Sequence, residues 1–218
     1  MRKVASLALL CAASCGTGDN VVVGGIGSSD ITPVIEFNDI RSVISGRAHL
    51  FDASGTPNGS AQVVIISDQP QLCDQLKAHP DYFRNATAPY QALILYLPDT
   101  DHLGTFIPGR PGDEGTSSQI IGVKDTGTPV PPFTTTKPVA PFPVLQDFGY
   151  ISLREWSIAP DGEADGTFYL AYNIPEALRD TVTITQGFQF SGKYKATSCP
   201  TLDGTLLPAC GVTSCPLP

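Results

Sequence analysis

Thr181–Thr197, TVTITQGFQFSGKYKAT, decides the fold class. Val182, Ile184, Phe188, Phe190, Tyr194 and Ala196 share the even positions, while Thr181, Thr183, Thr185, Gln189, Ser191, Lys193 and Lys195 share the odd ones. A strand turns successive side chains to opposite faces, so one face is greasy and the other wet, as in an antiparallel sheet covering a core. Gly187 and Ser191-Gly192 allow a turn or a bulge, and the parity is kept across both.

Upstream, Gly166–Ile174 repeats the pattern with Phe168, Leu170, Tyr172 and Ile174 on one face. Phe148–Ile158 is a further strand, in which Ile151 and Leu153 fall out of phase with Trp156 and Ile158. A bulge near Arg154-Glu155 restores the register. The first half contributes a strand over Arg41–Phe51 and two continuous apolar runs, Val63–Ile66 and Ala92–Leu97, expected as central strands covered on both faces. Between them Pro70–His79 sets Leu72, Cys73 and Leu76 at helical spacing, which predicts one short helix with Cys73 turned inward. Ser117–Val123 reads as one more strand. The fold class expected is mainly β, an antiparallel β-sandwich or open barrel with one short helix.

Composition agrees with that reading. The chain has 218 residues with 21 glycines and 20 prolines, and only 16% of its residues are charged, a balance that favours many turns and few long helices. Six of the prolines lie in Pro129–Pro143, PVPPFTTTKPVAPFP, which excludes a central strand or a helix there. As polyproline II that stretch spans about 45 Å. Neither half alone has enough strands for a comfortable core, so a single domain with a long crossing loop is expected. The net charge of −8 argues against nucleic acid as a partner and against electrostatic docking on anionic headgroups.

The beginning of the chain, MRKVASLALLCAASC, places two positive charges before a short apolar run. Val4–Ser14 is far too short for the roughly 20 residues of a spanning helix, so it reads as an export signal. Ala12-Ala13-Ser14-Cys15-Gly16 resembles the lipobox of bacterial lipoproteins, whose cysteine is acylated and becomes the new N-terminus; the family usually has Leu where this chain has Ala12. Ordinary cleavage after Ser14 also satisfies a small-x-small rule, and plain secretion is the alternative. Without residues 1–14 the chain keeps Cys15, Cys73, Cys199, Cys210 and Cys215, an odd set that becomes even if Cys15 carries lipid. Residues 15–35 are expected to be a flexible tether, with pairing of Val21–Val23 as an edge strand the lesser alternative, residues 36–199 the β domain, and residues 200–218 a tail closed by a disulfide.

Four cysteines allow three connectivities. Cys73–Cys199 with Cys210–Cys215 is the favoured pairing, since the first ties the helix to the end of the last long strand and the second closes a tail rich in glycine and proline. The spacing of Cys210 and Cys215 lacks the CxxC form of a redox or zinc site. The run Gly192-Lys193-Tyr194-Lys195-Ala196-Thr197-Ser198-Cys199, with its glycine, aromatic, alanine and cysteine at fixed offsets, resembles uncharacterised lipoproteins of myxobacteria and their relatives. That resemblance implies a bacterial surface setting and supports the Cys73–Cys199 bridge, and it names no reaction.

Chemical motifs are sparse. The chain has no GxSxG, HExxH, Walker or dinucleotide signature, so no catalytic residue and no cofactor is assigned and the chain is not expected to be an enzyme. His49, His79 and His102 are widely spaced and are read as surface or satisfied histidines. Asp161, Glu163 and Asp165 alternate before a glycine, the spacing with which calcium loops gather oxygen ligands, but Tyr172 stands where an EF-hand has its bidentate glutamate. A solvated hairpin turn is the favoured reading. Asp99, Asp101, Asp113 and Glu114, around Gly104 and Gly109, form a second acidic cluster with Arg110 available as a partner, read as a charged surface loop with a ligand-binding loop as the alternative. Three functions are weighed: a membrane-tethered module that binds a protein or glycan at the bacterial cell envelope, most simply at the outer membrane; a structural envelope component without a ligand; and a carboxylate-based glycan hydrolase.

Overall fold

The structure, a computed structural model, describes residues 20–25, 39–51, 57–85, 90–99, 102–123, 145–173 and 188–208. In chain order these form β1 (Val21–Gly25), β2 (Ser42–Phe51), β3 (Pro57–Ser67), α1 (Leu72–Ala78), the single helical turn α2 (Tyr82–Asn85), β4 (Tyr90–Leu97) and β5 (Gly104–Phe106). Then follow β6 (Ser117–Val123), β7 (Leu145–Trp156), β8 (Glu163–Asn173), β9 (Phe188–Ser198), the 3-10 helix η1 (Pro200–Gly204) and β10 (Leu206–Pro208). Among the described residues the ten strands make one sheet, ordered β5-β7-β8-β9-β2-β3-β4-β6, with β1 on β9 and β10 on β2. The protein is mainly β, as an open sandwich or barrel with one short helix requires.

Two cores explain the two kinds of strand in the sequence. In the first, Val64, Ile66, Leu93 and Leu95 from β3 and β4 meet Ile151, Phe168, Leu170 and Phe190 from β7, β8 and β9, so the sheet curls over and packs on itself. In the second, Val63, Ile65, Ala92 and Ile94 on the opposite face of β3 and β4 meet Leu72 and Leu76 of α1, Leu202 of η1 and Leu207 of β10. β3 and β4 are therefore buried on both faces and read as continuous apolar runs. Among the described residues the β7–β8–β9 half has a core on one side only, and its sequence alternates. The expected bulge is present: Leu153 faces Gly166 and Glu155 faces Asp165, with Arg154 the extra residue. Trp156 thereby turns back toward the core and packs against it.

Among the described residues the pairings are antiparallel except at two short places. β2 runs parallel to β9 through Ile44↔Thr197 and Ser45↔Ser198, and β10 runs parallel to β2. The first joins the two halves of the sheet. Ser42 supports the helix from β2: its hydroxyl donates to the Gln69 carbonyl at 2.6 Å and accepts from the Leu72 amide at 3.2 Å, satisfying a donor that a helix start leaves open.

Two parts of the expected organisation need correction. Val21–Gly25 does not belong to the tether; it pairs antiparallel with β9, from Val21↔Lys193 to Gly25↔Gln189. The edge of β9 is open there because β2 pairs with it only from Thr197 on, and Val22 packs, half-buried, against the first core. Residues 200–208 likewise belong to the domain and not to the disulfide-closed tail expected over 200–218, since Leu202 and Leu207 are fully buried in the second core and Thr205 is buried beside them. The segments 15–19, 26–35, 129–143 and 209–218, with Cys15, Cys210 and Cys215, lie outside the described residues.

Burial also predicts an alkaline limit. The hydroxyls of Tyr90, Tyr96 and Tyr194 are pushed well above a phenol's ordinary value of 10.0 because burial penalises the phenolate. The unfolded chain releases these protons from about pH 10 while the folded chain keeps them, so their contribution is complete below about pH 10 and is lost as pH rises beyond it. Urea titrations across that range should show stability falling with pH, and less steeply in Tyr194→Phe. A stability independent of pH above 10 would contradict the burial of these rings.

Candidate functional site

The chain between β5 and β6 is built differently from the other described connections. Ile107–Thr116 reads IPGRPGDEGT and folds as three linked turns of one period, in which Arg110 N–H donates to Ile107 O, Asp113 N–H to Arg110 O and Thr116 N–H to Asp113 O, at 3.1, 3.0 and 3.0 Å. Each turn carries glycine at its third position, with φ of 75° at Gly109, 94° at Gly112 and 91° at Gly115, the left-handed backbone that a type II turn needs there. Proline precedes the first two glycines and pre-sets the position before them.

A buried carboxylate clamps these turns together. Asp113 is 7% exposed; its Oδ2 accepts from the Ile107 amide at 2.8 Å and from Arg110 Nε at 2.6 Å, and Arg110 Nη2 donates to Thr105 O at 2.8 Å. Glu114 closes the next turn by accepting from the Gly112 amide at 3.0 Å, a bond that holds its carboxyl below the usual range. The loop thus ties together the two end strands of the sheet, and apolar side chains reach the surface on either side of β5: Ile107, at the start of the loop, is 36% exposed and Leu103, just before β5, is 54% exposed. Asp113→Ala should open the first two turns and cost about 2 kcal/mol, the scale of hydrogen bonds to a charged group. Hydrogen exchange at the Ile107 amide checks this, and unchanged protection would remove Asp113 as the clamp.

This is the second acidic cluster of the sequence, and its parts separate. Asp113 and Glu114 are internal braces of the loop, with Arg110 as the expected partner. Asp99 lies apart, bonded to Arg47 at 2.8 Å and to the Ser60 hydroxyl at 3.0 Å; Asp101 lies outside the described residues. What composition alone missed is the threefold turn, although the repeat P-G, P-G, E-G at three-residue spacing is visible in the sequence.

The first acidic cluster does not converge. Asp161, at φ 62°, sits in the turn between β7 and β8, while Glu163 and Asp165 stand on the outer face of β8. Glu163 pairs with Lys195 at 3.0 Å, and Asp165 pairs with Arg154 of the bulge. No group of three metal-ligating side chains comes together among the described residues. His49 Nδ1 bonds to the Asp203 carbonyl, His79 caps the end of α1 through its amide, and both side chains are exposed. Cys73 and Cys199 are joined by a disulfide. No described helix is long and apolar enough to cross a membrane.

The Gly192–Cys199 run acquires a physical meaning. Gly192, Tyr194 and Ala196 all face inward on β9. A side chain at Gly192 would collide with the Val21 carbonyl of β1 and with the Phe168 ring. Tyr194 lies across Gly166, donates to Ser152 O at 3.1 Å and stacks on Phe168 at 6.5 Å; Ala196 opposes Ala164, and Cys199 takes the bridge. Comparison with protein-family models, with curated proteins and with solved structures finds no match to this chain.

Proposed function

We propose that this chain is a lipoprotein of the bacterial cell envelope, acylated at Cys15, whose β domain works as a binding module through residues 102–116, which comprise β5 and the loop that follows it. The observation that carries the binding role is the build of that loop. A segment held by three turn hydrogen bonds and a buried carboxylate is already ordered before it meets a partner, so little conformational freedom is lost on binding. It presents Ile107 to solvent, beside Leu103 at the other end of β5, on a rigid scaffold, which is where recognition residues concentrate. The Cys73–Cys199 bridge supports an oxidising compartment and therefore export. An even set of cysteines then remains only if Cys15 is modified.

A photoreactive residue placed at Leu103 or Ile107 of the full chain in bacterial cells tests the binding role, with Lys77 on the exposed side of α1 as control. Discrete adducts from positions 103 and 107, absent at 77 and reduced by Asp113→Ala, are expected. No adduct from either position would leave a structural envelope component without a specific ligand.

A further inference from the structure

We propose, resting on the acylation of Cys15, that the outer face of the β9–β8–β7 half lies against the bilayer interface. The distance between anchor and domain is set by β1. Since Val21–Gly25 is part of the sheet, the chain between Cys15 and Asn20 offers five residue steps, which span at most about 18 Å. A domain of this size is roughly 40 Å across, so its far side is out of reach. The anchor chain also starts in the middle of the sheet and not at its rim. Asn20 Oδ1 accepts from the Lys195 amide at 2.7 Å, and the same edge of β9 is taken by β2 from Thr197.

The outer face beside that point suits an interface. Val22 packs against the core, so Val21 turns outward and is 39% exposed. On the same face Tyr150 is 38% exposed and pairs with Tyr169, their rings 6.4 Å apart. β7 lies three strand spacings from β1, about 14 Å, so one short tether holds both at the same surface. Tyrosines place an apolar ring and a wet hydroxyl where headgroups meet acyl chains. Charge agrees as well: Arg154, Lys193 and Lys195 balance Glu155, Glu163 and Asp165 on this face, whereas the chain as a whole carries −8. A balanced face is the one that an anionic leaflet repels least. Lipid at Cys15 supplies the attraction, and the face supplies the orientation.

The test uses the full acylated protein on vesicles of phosphatidylethanolamine and phosphatidylglycerol, with a fluorescent amino acid at Thr167 on the outer face or at Lys77 on α1 and a quencher fixed to the lipid headgroup. Several-fold stronger quenching at 167 than at 77 is expected, decreasing when Tyr150→Ser and Tyr169→Ser are combined. Equal quenching at the two positions on vesicle-bound, acylated protein overturns the orientation while leaving the anchor intact. A label at 167 that lipid leaves unquenched and purified peptidoglycan sacculi shift overturns it too, assigning the face to a glycan. The mass of the N-terminal peptide, measured on the same sample, separates these results from failure of the anchor itself, for which Cys15 is unmodified and the protein does not bind vesicles.

Discussion

Replacing Cys73 and Cys199 together by alanine lowers the stability of the domain by about 5 kcal/mol in the chain-entropy model, because the bridge closes a loop of 126 residues. For a domain of this size each kcal/mol moves Tm by about 2–4 °C, so a fall of roughly 10–20 °C is expected. The local structure explains why the bridge sits where it does. Cys199 is fully buried; its amide donates to Ser45 O at 2.7 Å, and its carbonyl lies where a side chain at Gly46 would come within 2.8 Å. Cys73 reaches it from the first turn of α1, so one covalent link fixes the helix over the second core at the point where β2 and β9 meet. Urea midpoints of the oxidised, reduced and Ala/Ala proteins measure the effect, and an unchanged slope identifies it as stability. A loss below about 1 kcal/mol would mean that the bridge does not constrain the chain.

Gly166→Ala is expected to cost about 3 kcal/mol, and Gly166→Val to prevent folding, since overpacking a strand centre against backbone leaves nothing flexible to yield. A side chain at Gly166 would lie inside contact distance of both the Ser152 carbonyl and the Tyr194 hydroxyl. Those two groups are hydrogen-bonded to each other across β8, so the added carbon separates β7 from β8 and displaces Tyr194 from Phe168. Thr167→Ala, one residue away on the outer face, is the control and should stay within about 0.5 kcal/mol. Equal effects at 166 and 167 would contradict the packing of Tyr194 over Gly166.

Much of this architecture can be read from the chain before its structure is known, where the information is local. Phase carries the strands: alternation in β8 and β9 states that one face is wet, unbroken apolar runs in β3 and β4 state that neither is, and the slip between Leu153 and Trp156 states the bulge. What is not legible depends on partners distant in sequence. Val21–Gly25 has glycines and a short apolar run, and it becomes a strand because β2 leaves the edge of β9 open some 170 residues later in the chain. Leu202 and Leu207 look like the start of a Gly/Pro-rich tail until the second core supplies a surface to cover. At the candidate site the pairing of Arg110 with Asp113 is legible from proximity, whereas the rigidity of the loop requires noticing that its turn signals recur every three residues. The acidic hairpin shows the converse: spacing that suits a cation is satisfied by Lys195 and Arg154, which pairing across strands brings alongside.

In the proposed arrangement a short chain from an acylated Cys15 holds this acidic β domain at a bacterial membrane. Mass spectrometry of the mature N-terminal peptide, taken from membranes of a bacterial host expressing the full chain, tests it most directly. The expected chain begins at Cys15 and carries acyl groups on that residue; a chain recovered with Cys15 unmodified, or lacking it, would contradict the lipid anchor.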